Sequence, residues 1–236
     1  MKVFTFHFAR IDVATAVRVF LRPPTGKQIP GLSHAECMAR MTLGAPILSP
    51  ARFQLRNLTM FAEWESNVAI DEFLAGSRLG RQLAAGWHVR MAFQRRWGHV
   101  SEFDGLPESV GEQDPASPVV AVTLARMKLL QVPRFIRWGK PVEELVRDHP
   151  AVTIATAAVR PPRTVSTFSV WTSVLQMVDM VRGDSAVPRP ERHAAAMAER
   201  RRKDFHSEFT TLRFRPICEY GNWEGRTNII PSWDSG

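Results

Sequence analysis

The chain reads twice. Phe8-Ala9-Arg10 returns as Leu124-Ala125-Arg126, and Phe61-Ala62-Glu63-Trp64 returns as Phe168-Ser169-Val170-Trp171. Trp87-His88 returns as Phe205-His206, and Phe103-Asp104-Gly105 as Trp223-Glu224-Gly225. The four pairs keep their order and lie 116, 107, 118 and 120 residues apart. Two changes of length explain the drift: the first copy is longer between its first and second landmarks, and the second copy between its second and third.

Each copy carries the same alternation of periods. A strand is expected near residues 2–10 and 118–127, where TFHFAR and VAVTLA alternate apolar and polar positions. A helix follows near 13–22 and 131–147, then strands near 36–42 and 151–159 and near 55–64 and 164–171. A long helical segment comes next, 66–86 and 173–204, and a last strand closes each copy, 89–103 and 206–217. This βαββαβ order is the split-βαβ, ferredoxin-like unit. Leu106 to Pro118 holds Pro, Gly, Ser and acidic residues without apolar period, which marks a linker. The expected division is a first copy over 1–105, a linker over 106–117 and a second copy over 118–236.

A lone ferredoxin-like sheet has helices on one face and leaves its other apolar face bare. Two such sheets packed face to face bury it. The expected fold class is therefore α+β: tandem ferredoxin-like repeats forming a dimeric α+β barrel within one chain. A ligand cavity would lie between a sheet and its long helix, or between the sheets.

Composition narrows the partners. A hydrophobic fraction of 44% and a charged fraction of 23% exclude a disordered or fibrous chain. Net charge is +8 and rests mostly on Arg, since only Lys2, Lys27, Lys128, Lys140 and Lys203 are lysines. Arg suits carboxylate and phosphate, so an anionic ligand or surface is one reading, and a biased genome is another. The aromatics lack the order of an RNA-binding sheet, so no nucleic-acid partner is expected. Cys37 and Cys218 form no CxxC pattern, so neither a zinc site nor a disulfide scaffold is indicated. Charges inside the first dozen residues leave no signal-peptide core, and the most apolar stretch, Thr164 to Val178, is too short and polar to span a bilayer. A reduced cytoplasmic protein without an integral membrane segment is expected.

There is no GxGxxG, GxxxxGK[ST], HExxH or GxSxG, which leaves nucleotide-fold enzymes, zincins and serine hydrolases without support. Among seven histidines, His88 and His206 occupy matching places in the repeat and are read as fold residues. His7 alternates with Phe6 and Phe8 and could face cavity or solvent. His193 lies in PRPERHAAAMAERRRK, residues 188–203, which the first copy lacks. On a helix it shares a face with Ala196, Met197 and Arg200. A face of His, small residues, soft Met and a cation fits a flat, apolar, anionic macrocycle. From spacing alone the simpler reading is an exposed helix with a solvated Arg side, and one His does not make a haem site.

At this point the residues carry a resemblance. The second half is similar to the spheroidene monooxygenase family of carotenoid biosynthesis. The matching pieces are Thr167-Phe168-Ser169-Val170-Trp171, the His193-Ala194 helix with Arg200, the Phe209-to-Phe214 strand and the ending Gly221-Asn222-Trp223-Glu224-Gly225-Arg226. The first half resembles it through Phe8-Ala9-Arg10, Pro30-Gly31 and the Phe61-to-Trp64 strand. The resemblance implies a haem-containing oxygenase with haem b, His193 as the axial ligand, and Met197, Arg200, Phe168 and Trp171 around the cofactor. Arg10, Arg126 and His7 would be the polar groups on the opposite, catalytic side. A small-molecule substrate, an electron donor such as ferredoxin and a homodimer are the partners it implies. One departure stands out: where members carry a His before the Thr-Phe-Ser strand, this chain has Arg163-Thr164-Val165. That leaves open a haem enzyme of aldoxime-dehydratase-like or N–O/N–N chemistry. A cofactor-free monooxygenase or binder of the same barrel is the third reading.

Overall fold

A computed structural model describes residues 2–46, 49, 52 and 54–232. Met1 and residues 233–236, the outer limits of the expected division, lie outside the described residues, as do residues 47, 48, 50, 51 and 53.

The first copy forms β1 (Val3–Arg10), α1 (Val13–Leu21), β2 (Leu32–Met41), β3 (Gln54–Trp64), α2 (Asn67–Gly76), α3 (Arg78–Ala84) and β4 (Trp87–His99). The second forms β5 (Val119–Met127), α4 (Val132–Arg147), β6 (Val152–Arg160), β7 (Thr164–Trp171), α5 (Val174–Arg182), α6 (Arg192–Arg202) and β8 (His206–Gly221). All eight strands close one antiparallel barrel in the order β1-β3-β2-β6-β7-β5-β8-β4. Each copy contributes a ferredoxin-like sheet. The seams are β2 with β6 and β4 with β8.

The repeat extends to register. Phe6 pairs with Phe61 as Val122 pairs with Phe168, and Val3 pairs with Trp64 as Val119 pairs with Trp171. Alternation then sorts the faces. Phe4, Phe6 and Phe8 point into the barrel with Phe61, Phe168 and Phe214, all essentially fully buried. Burying one such side chain contributes roughly 1.5–3 kcal/mol, so this aromatic interior is a major part of what closes the barrel.

One expected correspondence fails. His88 stands opposite His7, whereas His206 stands opposite Met127, so Trp87-His88 and Phe205-His206 are not equivalent in register. Leu124, the counterpart of Phe8, pairs with Thr210, so Thr210 takes the place of Trp87. The long helical segments are also each broken. Ser77 is extended (φ −102°, ψ 156°), and its hydroxyl accepts the Gly80 N–H to start α3. Gly183 ends α5 in the left-handed region (φ 89°), which only Gly enters without strain, and Pro188 and Pro190 in the connection cannot donate backbone hydrogen bonds.

The closing turns behave as barrel plugs. Phe103 and Trp223 are both buried in the interior cluster, Phe103 against Phe61 (ring centroids 5.7 Å apart) and Trp223 against Phe8 (5.3 Å). Of the matching Gly105 and Gly225, only Gly225 is left-handed (φ 78°).

Candidate functional site

The two outer faces of the barrel differ, and that difference makes a cavity. In the first copy β3 turns Leu58, Met60, Ala62 and Trp64 outward, and α1, α2 and α3 press Val19, Ile70, Phe73 and Leu83 onto them. In the second copy the equivalent outward positions of β7 are Val165, Thr167, Ser169 and Trp171, and those of β5 are Ala121, Thr123 and Ala125. Smaller side chains leave α4, α5 and α6 standing off the sheet. The result is a mostly apolar cavity of about 250 Å³, just below the roughly 300–1,000 Å³ range of ligand pockets.

From the helices the walls are Phe135, Trp138 and Gly139 of α4, Met177 and Met180 of α5, and His193, Ala196, Met197 and Arg200 of α6. The cofactor residues expected on α6 thus share one wall. The His193 ring Nδ1 lies 3.0 Å from the Val181 carbonyl oxygen. A carbonyl only accepts, so Nδ1 carries the proton and donates, and Nε2 keeps its lone pair. Burial lowers the pKa of His193, partly offset by that hydrogen bond, so the ring is neutral near pH 7.

Arg200 is steadied by Asp204, with its Nε 3.4 Å from both carboxylate oxygens, and its guanidinium lies over the Phe209 ring, 3.7 Å from the centroid. Arg213 on β8 also borders the cavity and makes no ion pair among the described residues. Its pKa is lowered by burial and by the nearby Arg95, so it is a cation short of a counter-charge. Trp171 forms part of the wall, and its indole N–H donates to the Ser169 hydroxyl at 2.8 Å.

Phe168 borders the cavity, while its ring, on the even-numbered face of β7, stacks on Phe6 inside the barrel. Three expected placements are corrected. Arg10 is exposed at the end of β1. Arg126 points into one barrel end, where its guanidinium meets Glu36 and lies 2.8 Å from Glu102. Glu36, fully buried, is also held by Arg160 (2.6 Å) and His34 (3.2 Å). His34, Glu36 and Glu102 are spaced like metal ligands, but two guanidinia already neutralise them. His7 faces outward from the first sheet, stacked on His88 at 4.8 Å, because Phe6 and Phe8 take the interior. None of Arg10, Arg126 and His7 borders the cavity.

His206, which the repeat marks as a fold residue, also borders the cavity. Its Nδ1 lies 3.0 Å from an Asp204 carboxylate oxygen. Burial outweighs that neighbour and pulls its pKa down to about 4, so it is a neutral ring donating through Nδ1. The acid two residues upstream was the available signal. Trp138 and Arg213 were missed because each sits in a charged, amphipathic stretch that reads equally well as solvated surface.

No family model matches the chain. Over 131 residues it is 32% identical to a spheroidene monooxygenase of Rhodobacter capsulatus, a match covering 55% of this chain and 51% of that protein. Over 227 residues it is 28% identical to the spheroidene monooxygenase of Rubrivivax gelatinosus, covering 92% of this chain and 83% of that one. The chain is similar to spheroidene monooxygenases. The first of these matches spans about half of the relative's length. Among solved structures, a monooxygenase-like protein of Listeria innocua aligns with TM-score 0.30 and 8% identity over 92% of this chain and 96% of that one. A heme-degrading enzyme of Listeria monocytogenes aligns with TM-score 0.29 and 10% identity over 92% and 100%. Those structural likenesses are too distant to carry an argument, and the fold stands on its strand pairing. No described helix is long and apolar enough to cross a membrane.

Proposed function

We propose that the chain is a haem b-dependent monooxygenase acting on an apolar or small organic substrate, with His193 as the iron ligand. The observation that carries this is the His193 imidazole: its proton is committed to the Val181 carbonyl and its free nitrogen belongs to a ring in the wall of an apolar cavity. Metal-binding histidines are oriented in this way by a second partner on the other nitrogen. The donor set fits haem in other respects. Ala196 and Gly139 give a flat macrocycle room, Met197 and Trp138 offer soft and aromatic surface, and Arg213 and Arg200 match two carboxylates in charge. Bound haem would supply activation of dioxygen for oxygen insertion.

The chain's own residues have separate tasks. Val181 fixes the tautomer and orientation of His193, and burial keeps the ring unprotonated and competent as a ligand. Arg213 binds an anionic group without first breaking an ion pair. Asp204 holds the His206 proton on Nδ1, leaving the other nitrogen free to accept one. The apolar walls exclude water and favour an apolar substrate. Similarity to spheroidene monooxygenases supports the reaction class. The deciding experiment is a hemin titration of purified protein followed by absorption. A saturable Soret band at one haem per chain is expected, and its loss in His193→Ala. Colourless protein that takes up no hemin overturns the reading in favour of a cofactor-free barrel.

A further inference from the structure

Leu130 is 93% exposed and Leu129 is 56% exposed, in the short 3₁₀ turn Leu129–Gln131 that leads into α4. Two adjacent leucines held this far into solvent bury little apolar surface against the rest of the chain. Nothing in the described chain covers them, and their surroundings are strongly cationic. Lys128 precedes them. Arg163 is next to them through the Met127 N–H, which donates to its carbonyl at 2.7 Å. The end of α6 is tied to the same place by Arg134, whose guanidinium donates to the Lys203 carbonyl at 2.8 Å, bringing in Arg201 and Lys203. Lys128, Arg163, Arg201 and Lys203 are exposed and make no ion pair among the described residues.

The geometry points to this turn as a docking surface for an anionic lipid bilayer, with Leu129 and Leu130 entering the headgroup boundary and the four cations meeting lipid phosphates. Charge complementarity selects this occupant: apolar tips ringed by unpaired cations suit an anionic interface, where insertion and electrostatics add. A second copy of a +8 chain would bring the same cations together instead. The surface is continuous with the cavity. Phe135 lies in the first turn of the α4 that follows the leucines, the Lys128 N–H donates to the Phe205 carbonyl at 2.9 Å, and Phe135 and Phe205 both border the cavity. Docking there brings the cavity to a pool of apolar substrate.

The inference needs no haem, so its test uses protein without added hemin and is separate from the reading above. Co-sedimentation is measured with phosphatidylcholine vesicles, with and without phosphatidylglycerol. Wild type is expected to pellet with the anionic vesicles and to be released by salt. Leu129→Asp with Leu130→Asp, and separately Arg201→Glu with Lys203→Glu, should each lower binding at least about tenfold, since a cation contributes about 1 kcal/mol and a buried Leu roughly 1.5–3 kcal/mol. Circular dichroism confirms that these surface variants are folded. Leu21→Asp is the control. Leu21 is 77% exposed at the end of α1, which packs on β2 and β3 of the first sheet, whereas the two leucines leave β5 of the second, so it lies outside the proposed surface and should bind like wild type. The proposal is overturned if wild type ignores anionic vesicles. It is equally overturned if the double variants bind as well as wild type, or if Leu21→Asp loses as much. Binding of an RNA oligomer without vesicle binding, or a dimer that the leucine variant dissociates without vesicle binding, also overturns it.

Discussion

Phe6 and Phe168 come from opposite copies and meet at the centre of the barrel, ring centroids 3.9 Å apart and planes 26° from parallel. This contact joins the two sheets through the interior, independently of the hydrogen-bonded seams. It also turns the Phe168 ring toward the interior, while Thr167, Ser169 and Trp171 on the other face of β7 line the cavity. Phe168→Ala should destabilise the protein by about 3–5 kcal/mol, as large-to-small changes in packed cores do. Urea denaturation measures it. Hemin affinity of the folded fraction should stay within about twofold of wild type, because the ring packs on Phe6, Phe8 and Trp87 inside the barrel.

The cavity exists because Thr167 and Thr123 stand where the first copy has Met60 and His7. Thr167→Phe should fill it. Hemin binding is expected to weaken at least about tenfold. The urea midpoint should hold or rise, since the new ring enters existing space. Isothermal titration and urea melts on one preparation separate the two effects.

Arg213 is an unpaired cation at the wall. Arg213→Leu should lower hemin affinity by about 10–100-fold, corresponding to roughly 1.5–3 kcal/mol for a hydrogen bond to a charged group. Hemin dimethyl ester, which lacks the free carboxylates, should bind wild type and variant alike.

Glu36 sets an acid limit on stability. Burial alone would raise its pKa, but the His34 hydrogen bond and the guanidinia of Arg126 and Arg160 override that and hold it at about 2 against an ordinary 4.5. A carboxyl depressed in the folded state contributes stability that is complete above its unfolded pKa and disappears as pH falls toward the folded one. Urea midpoints should therefore decline between about pH 4.5 and pH 2. Glu36→Gln should cost about 3–5 kcal/mol at neutral pH by stranding buried guanidinia, and should flatten that decline.

Much of this was written in the repeat. With Val3 facing Trp64 in the first copy, aligning Phe8 with Leu124 and Phe61 with Phe168 places Val119 opposite Trp171, because register propagates along a pleated ladder. The β7 bounds expected from the sequence, 164–171, are those observed. Alternation could have placed Phe168 inside and Thr167 outside, since position 168 shares parity with Val170 and both are buried. What local pattern could not reach was the pairing of distant charges. Arg126 looked like a partner of Arg10 by repeat position, yet its role is set by Glu36, 90 residues away in the chain and on the other sheet. The place of His206 at the cavity escapes local pattern for the same reason: it arises from Phe135 of α4 packing against the ring, and short-range periodicity carries no record of that.

The central claim is that the His193 nitrogen binds iron. Resonance Raman spectroscopy of the reduced, hemin-loaded protein tests it most directly. An iron–imidazole stretching band that shifts when the histidines carry nitrogen-15, and that is missing from His193→Ala, is the predicted result. The same band persisting unchanged in His193→Ala would contradict the account.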